Sequence, residues 1–159
     1  MPVTIVAGVQ WGDEGKGRIV DLLADKADLV VRCQGGPNAG HTVINDQGKF
    51  VLHSVPSGIF SPNALCIIGA GTVLNPNGLM EELQGLVDAG IDIQRLLISE
   101  RAHLIMPYHR LIEGLDEKAR KPGSRVAPTG QGIACSREPT RPACHRRNSW
   151  HRIRQTDSW

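Results

Sequence analysis

The first residues in this chain that could do chemistry form the glycine-rich segment Gln10–Gly17, which reads QWGDEGKG. It follows a short apolar run, Val3–Gly8, and precedes a helical pattern. A strand, a glycine-rich turn and a helix bind phosphate because backbone N–H groups and the helix N-terminus point at the anion, and glycine allows close approach. Lys16 adds a positive charge beside these amides. The segment therefore predicts a phosphate-binding loop.

This loop departs from the common G-x-x-x-x-G-K-[ST] pattern, and it contains a carboxylate. Gly8 lies seven residues before Gly15 instead of five, and Gly17 stands where a Mg²⁺-binding Ser or Thr would follow the lysine. Asp13 would lie among phosphates, which repel a carboxylate unless a cation bridges them. It is therefore expected to be a Mg²⁺ ligand or a base toward a bound substrate. In the alternative reading, Asp13 and Glu14 only cap the following helix.

A second glycine-rich loop, Gly35–Thr42 (GGPNAGHT), follows another apolar strand pattern. The carboxyl ends of strands are where open α/β sheets bind ligands. Asn38 can recognise a base or a phosphate through its amide, and His41 can donate a proton near pH 7. A lone histidine is more often structural, but its place beside a second such loop favours a functional role.

The elements that must position these loops follow from hydrophobic periodicity and turn residues. Strands alternating with helices predict an α/β fold with a mainly parallel sheet and flanking helices. A turn is expected at Gly69-Ala70-Gly71, and a hairpin turn at Asp46-Gln47-Gly48. The predicted strands are Val3–Gly8, Leu29–Arg32, Thr42–Asn45, Lys49–His53, Leu65–Ile68 and Leu96–Ser99, and the predicted helices are Gly15–Asp25, Pro76–Ala89 and an exposed Tyr108–Arg120.

Composition describes an ordinary globular chain. It has 159 residues, 40% of them hydrophobic and 21% charged, enough for one domain with a sizeable core. No apolar run approaches membrane-spanning length, and no secretory signal pattern is present, so a cytoplasmic protein without membrane contact is expected. The cysteines show no metal-ligand spacing; Cys33 and Cys66 are expected to be buried free thiols.

The last 26 residues, Ala134–Trp159, differ from the rest. They contain six arginines against Glu138 and Asp157, a charge of +4, which leaves −2 for the remaining 133 residues. No amphipathic period runs through this segment, so it is not expected to join the core. Nucleic-acid binding is disfavoured because the arginines form neither a motif nor a stripe. A zinc site is disfavoured because the Cys and His spacing fits no standard site.

Six motifs in order resemble the adenylosuccinate synthetase family: QWGDEGKG, QGGPNAGHT, LHSVPSGI, IIGAGTVLNP, LLISERAHLI and PTGQGI. The resemblance covers residues 3 to 133, and the first two motifs together are highly specific. It implies a P-loop-NTPase-like synthetase fold, here incomplete. It also implies a ligase of purine and AMP biosynthesis that joins IMP and L-aspartate while GTP is hydrolysed, through 6-phosphoryl-IMP, with Mg²⁺ as cofactor and a homodimeric assembly.

The resemblance also assigns roles to individual residues. Asp13 would be the base that takes the proton from purine N1, and His41 would be a general acid at the phosphoryl group. The Mg²⁺ ligands would be Asp13 and the carbonyl of Gly40. The GTP-binding residues would be Gly12, Asp13, Glu14, Gly15, Lys16, Gly17, Arg18, Gly40, His41 and Thr42. The IMP-binding residues would be Asp13, Glu14, Gly15, Lys16, Asn38, Ala39, Gly40, His41 and Thr129, although Pro128 stands where the family usually has a second threonine.

After Ile133 the sequence departs from the family. Its sudden gain of Arg, Pro, Cys and Trp resembles out-of-frame reading. Residues 1–133 are therefore expected to be the N-terminal part of the synthetase domain, and residues 134–159 an aberrant, disordered basic tail. The chain alone is then expected to be inactive. The alternative function is a non-catalytic nucleotide- or phosphate-binding fragment.

Overall fold

The computed structural model describes residues 2–8, 15–46, 48–119, 130–133, 136 and 150–152. Three helices and seven strands lie within these ranges, together with one short 3₁₀ turn, Ser57–Phe60. The helices are α1 (Lys16–Ala24), α2 (Pro76–Asp88) and α3 (Pro107–Ala119). The strands are β1 (Leu29–Gly35), β2 (His41–Asn45), β3 (Gly48–Leu52), β4 (Leu65–Leu74), β5 (Leu96–Ser99), β6 (His103–Leu104) and β7 (Trp150–Arg152).

The main sheet has the strand order β1-β4-β5-β7. β4 pairs in parallel with β1 on one side and with β5 on the other, whereas β7 pairs antiparallel with β5. The far half of β4 also pairs in parallel with β6. The mainly parallel α/β sheet expected from the sequence is therefore confirmed.

The core lies between one face of this sheet and α2. Val30, Cys66, Ile68 and Leu96 alternate with more exposed neighbours along β1, β4 and β5, and each is buried. Three leucines of α2, spaced for one helical face, belong to the same apolar cluster: Leu79, Leu83 and Leu86. Removal of this apolar surface from water is the main favourable term that holds the sheet and helix together.

The ends of α2 follow from local residue chemistry. Pro76 occupies its first turn, where its missing N–H has no helical acceptor to lose. The helix stops at Gly90, which has φ +81°, a left-handed conformation that glycine adopts without steric cost. The N–H of Gly90 donates to Val87 O and that of Ile91 to Leu86 O, both at 2.9 Å, the paired bonds of a Schellman motif.

β4 is longer than the sequence predicted. The expected turn at Gly69-Ala70-Gly71 is wrong, because these residues lie inside the strand. The register with β1 shifts there, with Arg32 opposite Ile68 and Gln34 opposite Gly71. A Cβ on Gly71 would lie 2.5 Å from the carbonyl oxygen of Cys33. The glycines thus allow a bulge with close backbone approach instead of ending the strand.

Three further expectations need correction. Val3–Gly8 forms no strand, and Val3 and Ile5 are 86% and 84% exposed; the β-branched run has no described partner strand to complete its hydrogen bonds. Cys33 is exposed because it lies on the open face of β1, while Cys66 is buried as expected. Residues 150–152, expected to lie outside the fold, form β7 against β5.

The second sheet is the hairpin of β2 and β3, in which Asn45 pairs with Gly48, as the turn residues predicted. The exposed helix at Tyr108–Arg120 is also confirmed as α3, in which Leu111 and Leu115 are 65% and 56% exposed. Within the described ranges, no helix has both the length and the apolar character needed to cross a membrane.

Candidate functional site

The first loop ends at the N-terminus of α1. Gly15 is the N-cap with φ 78° and ψ 27°, a left-handed conformation that favours glycine. The N–H groups of Arg18 and Ile19 donate back to Gly15 O at 3.0 and 3.3 Å. The first-turn amides of any helix have no acceptor within it and carry partial positive charge. With Lys16 and Arg18 beside them, they make this end of α1 suited to an anion.

The second loop meets the first at Gly17. A Cβ on Gly17 would lie 2.5 Å from Cδ2, 2.6 Å from Cγ and 2.9 Å from Cβ of His41. The His41 ring therefore packs directly on the first turn of α1. This contact explains why glycine replaces the Ser or Thr of the common phosphate loop, since a side chain there would occupy the space of the imidazole.

A hydroxyl fixes the same turn of α1 from another side. Ser57, in the 3₁₀ turn, donates its Oγ–H to Gly17 O at 3.1 Å. Ser57 is itself buried, so this hydrogen bond is protected from competition with water. The turn that carries Gly17 is thereby tied to the segment that follows β3.

His41 lies at the start of β2 and is half-buried. Its Nε2 atom is buried and has no hydrogen-bond partner among the residues that the structure describes. Burial lowers the pKa of His41 below 6.5, and the nearby positive charges of Arg32 and then His53 lower it further. The imidazole is thus mainly neutral at pH 7.

Arg32 is a site residue that sequence reasoning missed. One of its guanidinium nitrogens donates to His53 O and the other to Gly36 O, the second at 2.9 Å. Burial lowers its pKa, and the negative charge of Glu82 opposes that shift. An arginine inside the apolar strand sequence LVVRC is an unusual choice, and this was the available signal.

The second loop itself projects from the fold. Asn38, Ala39 and Gly40 are exposed, as is Thr42 at the start of β2. A Cβ on Gly40 would lie 2.6 Å from Cε1 of His53, so the His53 ring packs directly against the loop at Gly40. Backbone and amide groups of the loop remain accessible to a ligand.

The end of the PTGQGI motif also reaches this loop. A Cβ on Gly36 would lie 3.0 Å from Cδ1 of Ile133. Gly132 donates its N–H to Glu113 Oε2 of α3 at 2.7 Å, and both residues are buried. The structure therefore places the second loop, Gly35–Thr42, in contact with two other motifs: His41 packs on Gly17 of α1, and Gly36 lies beside Ile133. Gly12, Asp13, Glu14 and Thr129 lie outside the described residues.

Comparison with known proteins identifies the family of this chain. The sequence model of the adenylosuccinate synthetase family matches residues 5–144. The chain belongs to the adenylosuccinate synthetase family. It is 57% identical over 133 residues to the adenylosuccinate synthetase of Dehalococcoides mccartyi strain 195, and 52% identical over 141 residues to that of Salinibacter ruber.

These matches cover 84% of the chain but only 31% and 32% of the two relatives. The chain therefore spans about a third of the length of these adenylosuccinate synthetases. The family model extends to residue 144, beyond the last family motif, which ends at Ile133.

Solved structures of the family show the same fold. The fully ligated adenylosuccinate synthetase of Plasmodium falciparum superposes with a TM-score of 0.66 at 38% identity, covering 79% of this chain and 29% of that one. A cyanophage S-2L succinoaminodeoxyadenylate synthetase, bound to dGMP and dATP, gives a TM-score of 0.61 at 26% identity, covering 82% and 37%. Membership of this family of ligases and its α/β fold are thus established.

Proposed function

We propose that these residues form the phosphate- and IMP-binding part of a GTP-dependent ligase that joins IMP and L-aspartate to give adenylosuccinate. One observation carries the proposal: the His41 ring packs on Gly17. Through that contact, residues of the two most specific family motifs meet at the N-terminus of α1, where Lys16 and Arg18 also lie.

The chain's own residues would act mainly by positioning and charge neutralisation, which is what phosphoryl transfer requires. The first-turn amides of α1, together with Lys16 and Arg18, would hold phosphate oxygens. His41 is neutral at pH 7 because its pKa is lowered, and an adjacent phosphoryl anion would favour the protonated ring. It would then donate a hydrogen bond or proton to the phosphoryl oxygen, while Asp13 removes the proton from purine N1.

The proposed metal is Mg²⁺, held by Asp13 and the Gly40 carbonyl. A carboxylate, a backbone carbonyl and substrate phosphates are the oxygen donors that Mg²⁺ prefers. The exposed position of Gly40 leaves its backbone accessible beside the first turn of α1. When bound, the ion would neutralise charge on the phosphates.

The proposed substrate contacts keep the assignments implied by the family. GTP would contact Gly12–Arg18 and Gly40–Thr42, and IMP would contact Asp13–Lys16, Asn38–His41 and Thr129. Recognition of L-aspartate, a homodimeric assembly and a cytoplasmic location, which is typical of the family, belong to the same proposal for the whole enzyme. Because the chain spans about 31% of its relatives' length, ligand binding is the property to measure first.

Isothermal titration of the 159-residue chain with IMP and Mg²⁺ tests the proposal. Lys16→Gln should weaken binding by about tenfold or more, because it removes a charge-assisted phosphate contact. Lys26→Gln is the matched control, since Lys26 is exposed beyond the other end of α1. Inosine, which lacks the phosphate, should bind far more weakly than IMP.

The same titration separates the competing functions. IMP binding without adenylosuccinate formation on addition of GTP and L-aspartate would favour the non-catalytic nucleotide-binding alternative for this chain. Equal affinity for IMP and inosine, or equal effects of the two lysine substitutions, would contradict a phosphate site at α1.

A further inference from the structure

Glu82, near the middle of α2, makes contacts beyond its own helix. Its Oε1 accepts hydrogen bonds from the backbone N–H groups of His53 and Val55 at 3.1 and 2.9 Å. Its Oε2 accepts one from Ser54 N–H at 3.0 Å. One carboxylate thus holds three consecutive backbone amides of the segment that follows β3.

The same segment is held from its other side by Arg32, which donates to the carbonyl oxygen of His53. The N–H of His53 therefore donates to a carboxylate, and its C=O accepts from a guanidinium group. Hydrogen bonds to charged groups are stronger than those between neutral ones. In addition, the negative charge of Glu82 favours the charged form of Arg32. The backbone of His53 is consequently fixed at both of its polar groups.

Fixing His53 also fixes the second loop. The His53 ring lies against Gly40, where an added Cβ would be 2.6 Å from Cε1 and 3.0 Å from Nδ1. Gly40 is followed by His41, which pairs with Leu52 across the hairpin. The other nitrogen of Arg32 holds Gly36 O at the start of that loop. A displacement of the His53 backbone would therefore move both ends of the loop.

We propose that Glu82 is a positioning residue for the site: by holding the His53–Val55 backbone, it sets the place of Gly40 and His41 opposite the first turn of α1. The inference rests on the proposed function for its consequence on ligand binding, but the positioning itself can be measured without a ligand. Glu82 is not a catalytic residue, because it acts through the backbone of His53–Val55 and through the charge of Arg32.

The test compares Glu82→Ala, Glu82→Gln and Glu81→Ala in the 159-residue chain. Glu81 is the matched control because it is exposed on the same helix. Glutamine keeps one carbonyl oxygen that can accept from His53 and Val55, but its NH₂ group cannot accept from Ser54. Amide hydrogen exchange, read by NMR, is measured at residues 40–43 and, for comparison, at residues 66–68 of β4. Circular dichroism checks that each variant folds.

For Glu82→Ala we expect exchange at residues 40–43 to rise by about tenfold or more relative to residues 66–68, since charge-assisted hydrogen bonds are lost. Titration with IMP and Mg²⁺ should show a weakening of similar size. Glu82→Gln should give an intermediate effect in both measurements, and Glu81→Ala should give none. Partial rescue by glutamine would not be expected if Glu82 served only to solubilise α2.

Equal exchange increases at residues 40–43 and 66–68, with unchanged IMP affinity, would overturn the inference, because Glu82 would then stabilise only the fold. If Glu82→Ala does not fold, the selective increase in amide exchange at residues 40–43 must appear in Glu82→Gln. Its absence in Glu82→Gln would equally overturn the inference. If the unmodified chain binds no IMP but the selective exchange increase is seen, the proposed function fails while the positioning role stands.

Discussion

Gly17→Ala directly tests the contact that joins the two loops. The added methyl carbon would lie 2.5 Å from His41 Cδ2 and 2.9 Å from His41 Cβ, well inside the usual carbon–carbon separation of about 3.5–4.0 Å. Because Cβ is obstructed as well as the ring, rotation of the imidazole alone cannot relieve the overlap. The whole start of β2 must move, or α1 must shift.

Two opposing contributions set the change in the free energy of unfolding of Gly17→Ala. Overpacking costs about 1–3 kcal/mol, whereas replacement of glycine by alanine in a helix contributes up to about 1 kcal/mol of stability. We therefore expect Gly17→Ala to change the free energy of unfolding by between roughly zero and −3 kcal/mol. Gly85→Ala is the matched control, because a Cβ on Gly85 of α2 would meet nothing within 4 Å; it should only stabilise.

Urea denaturation of both variants measures the difference, and titration with IMP and Mg²⁺ measures the effect on the site. Displacement of His41 should weaken IMP binding by about tenfold, a loss of about 1.4 kcal/mol. If Gly17→Ala stabilises the chain as much as Gly85→Ala does, and IMP affinity is unchanged, the contact between the two loops does not exist and the proposed site loses its main support.

Three other predictions concern single groups. Iodoacetamide should modify exposed Cys33 and spare buried Cys66, as read by peptide mapping. The pKa of Cys66 is raised from 9.0 to about 12, which leaves about a thousandfold less thiolate. Equal labelling of the two cysteines would contradict the burial of Cys66. The pKa of His41 is lower in the folded than in the unfolded chain. As the pH falls below 6.5, the unfolded chain therefore binds more protons than the folded chain does. His41 should therefore make the free energy of unfolding fall with decreasing pH by at most about 1.4 kcal/mol per pH unit, and His41→Gln should remove that part of the slope. Glu113→Ala should lower the free energy of unfolding by about 1–3 kcal/mol, because it leaves the buried N–H of Gly132 without its acceptor, and Glu113→Gln should recover part of the loss in urea denaturation.

The local features of the fold were predictable from the sequence because their causes are local. Pro76 and Gly90 mark the ends of α2 through their own backbone preferences, and the Asp46–Gly48 turn marks the hairpin. Val3–Gly8 has the same kind of strand pattern and yet forms no strand. Strand formation requires a partner backbone, which a one-dimensional pattern does not include.

The candidate site was predictable where glycine spacing and a nearby charge lie in one segment, as at Lys16 and in the loop that ends at His41. The contacts of Arg32 with His53 and of Glu82 with residues 53–55 were not predictable, because these partners lie 21 and 27–29 residues away in sequence. On a helical pattern, Glu82 looks like an ordinary residue of a solvated face. Its role depends on the place where the chain returns after β3, which only the fold shows.

The glycines that permit close approach differ in how a substitution at each could be compensated. At Gly17 and Gly40 the obstructing atoms belong to the side chains of His41 and His53, so a smaller residue at the obstructing position could make room. At Gly71 the obstructing atom is the backbone carbonyl oxygen of Cys33, which every amino acid carries. Second-site side-chain replacements that restore the fold should thus be obtainable at position 53 for substitutions of Gly40 and absent for substitutions of Gly71, whereas at Gly17 such a replacement would remove His41 from the proposed site.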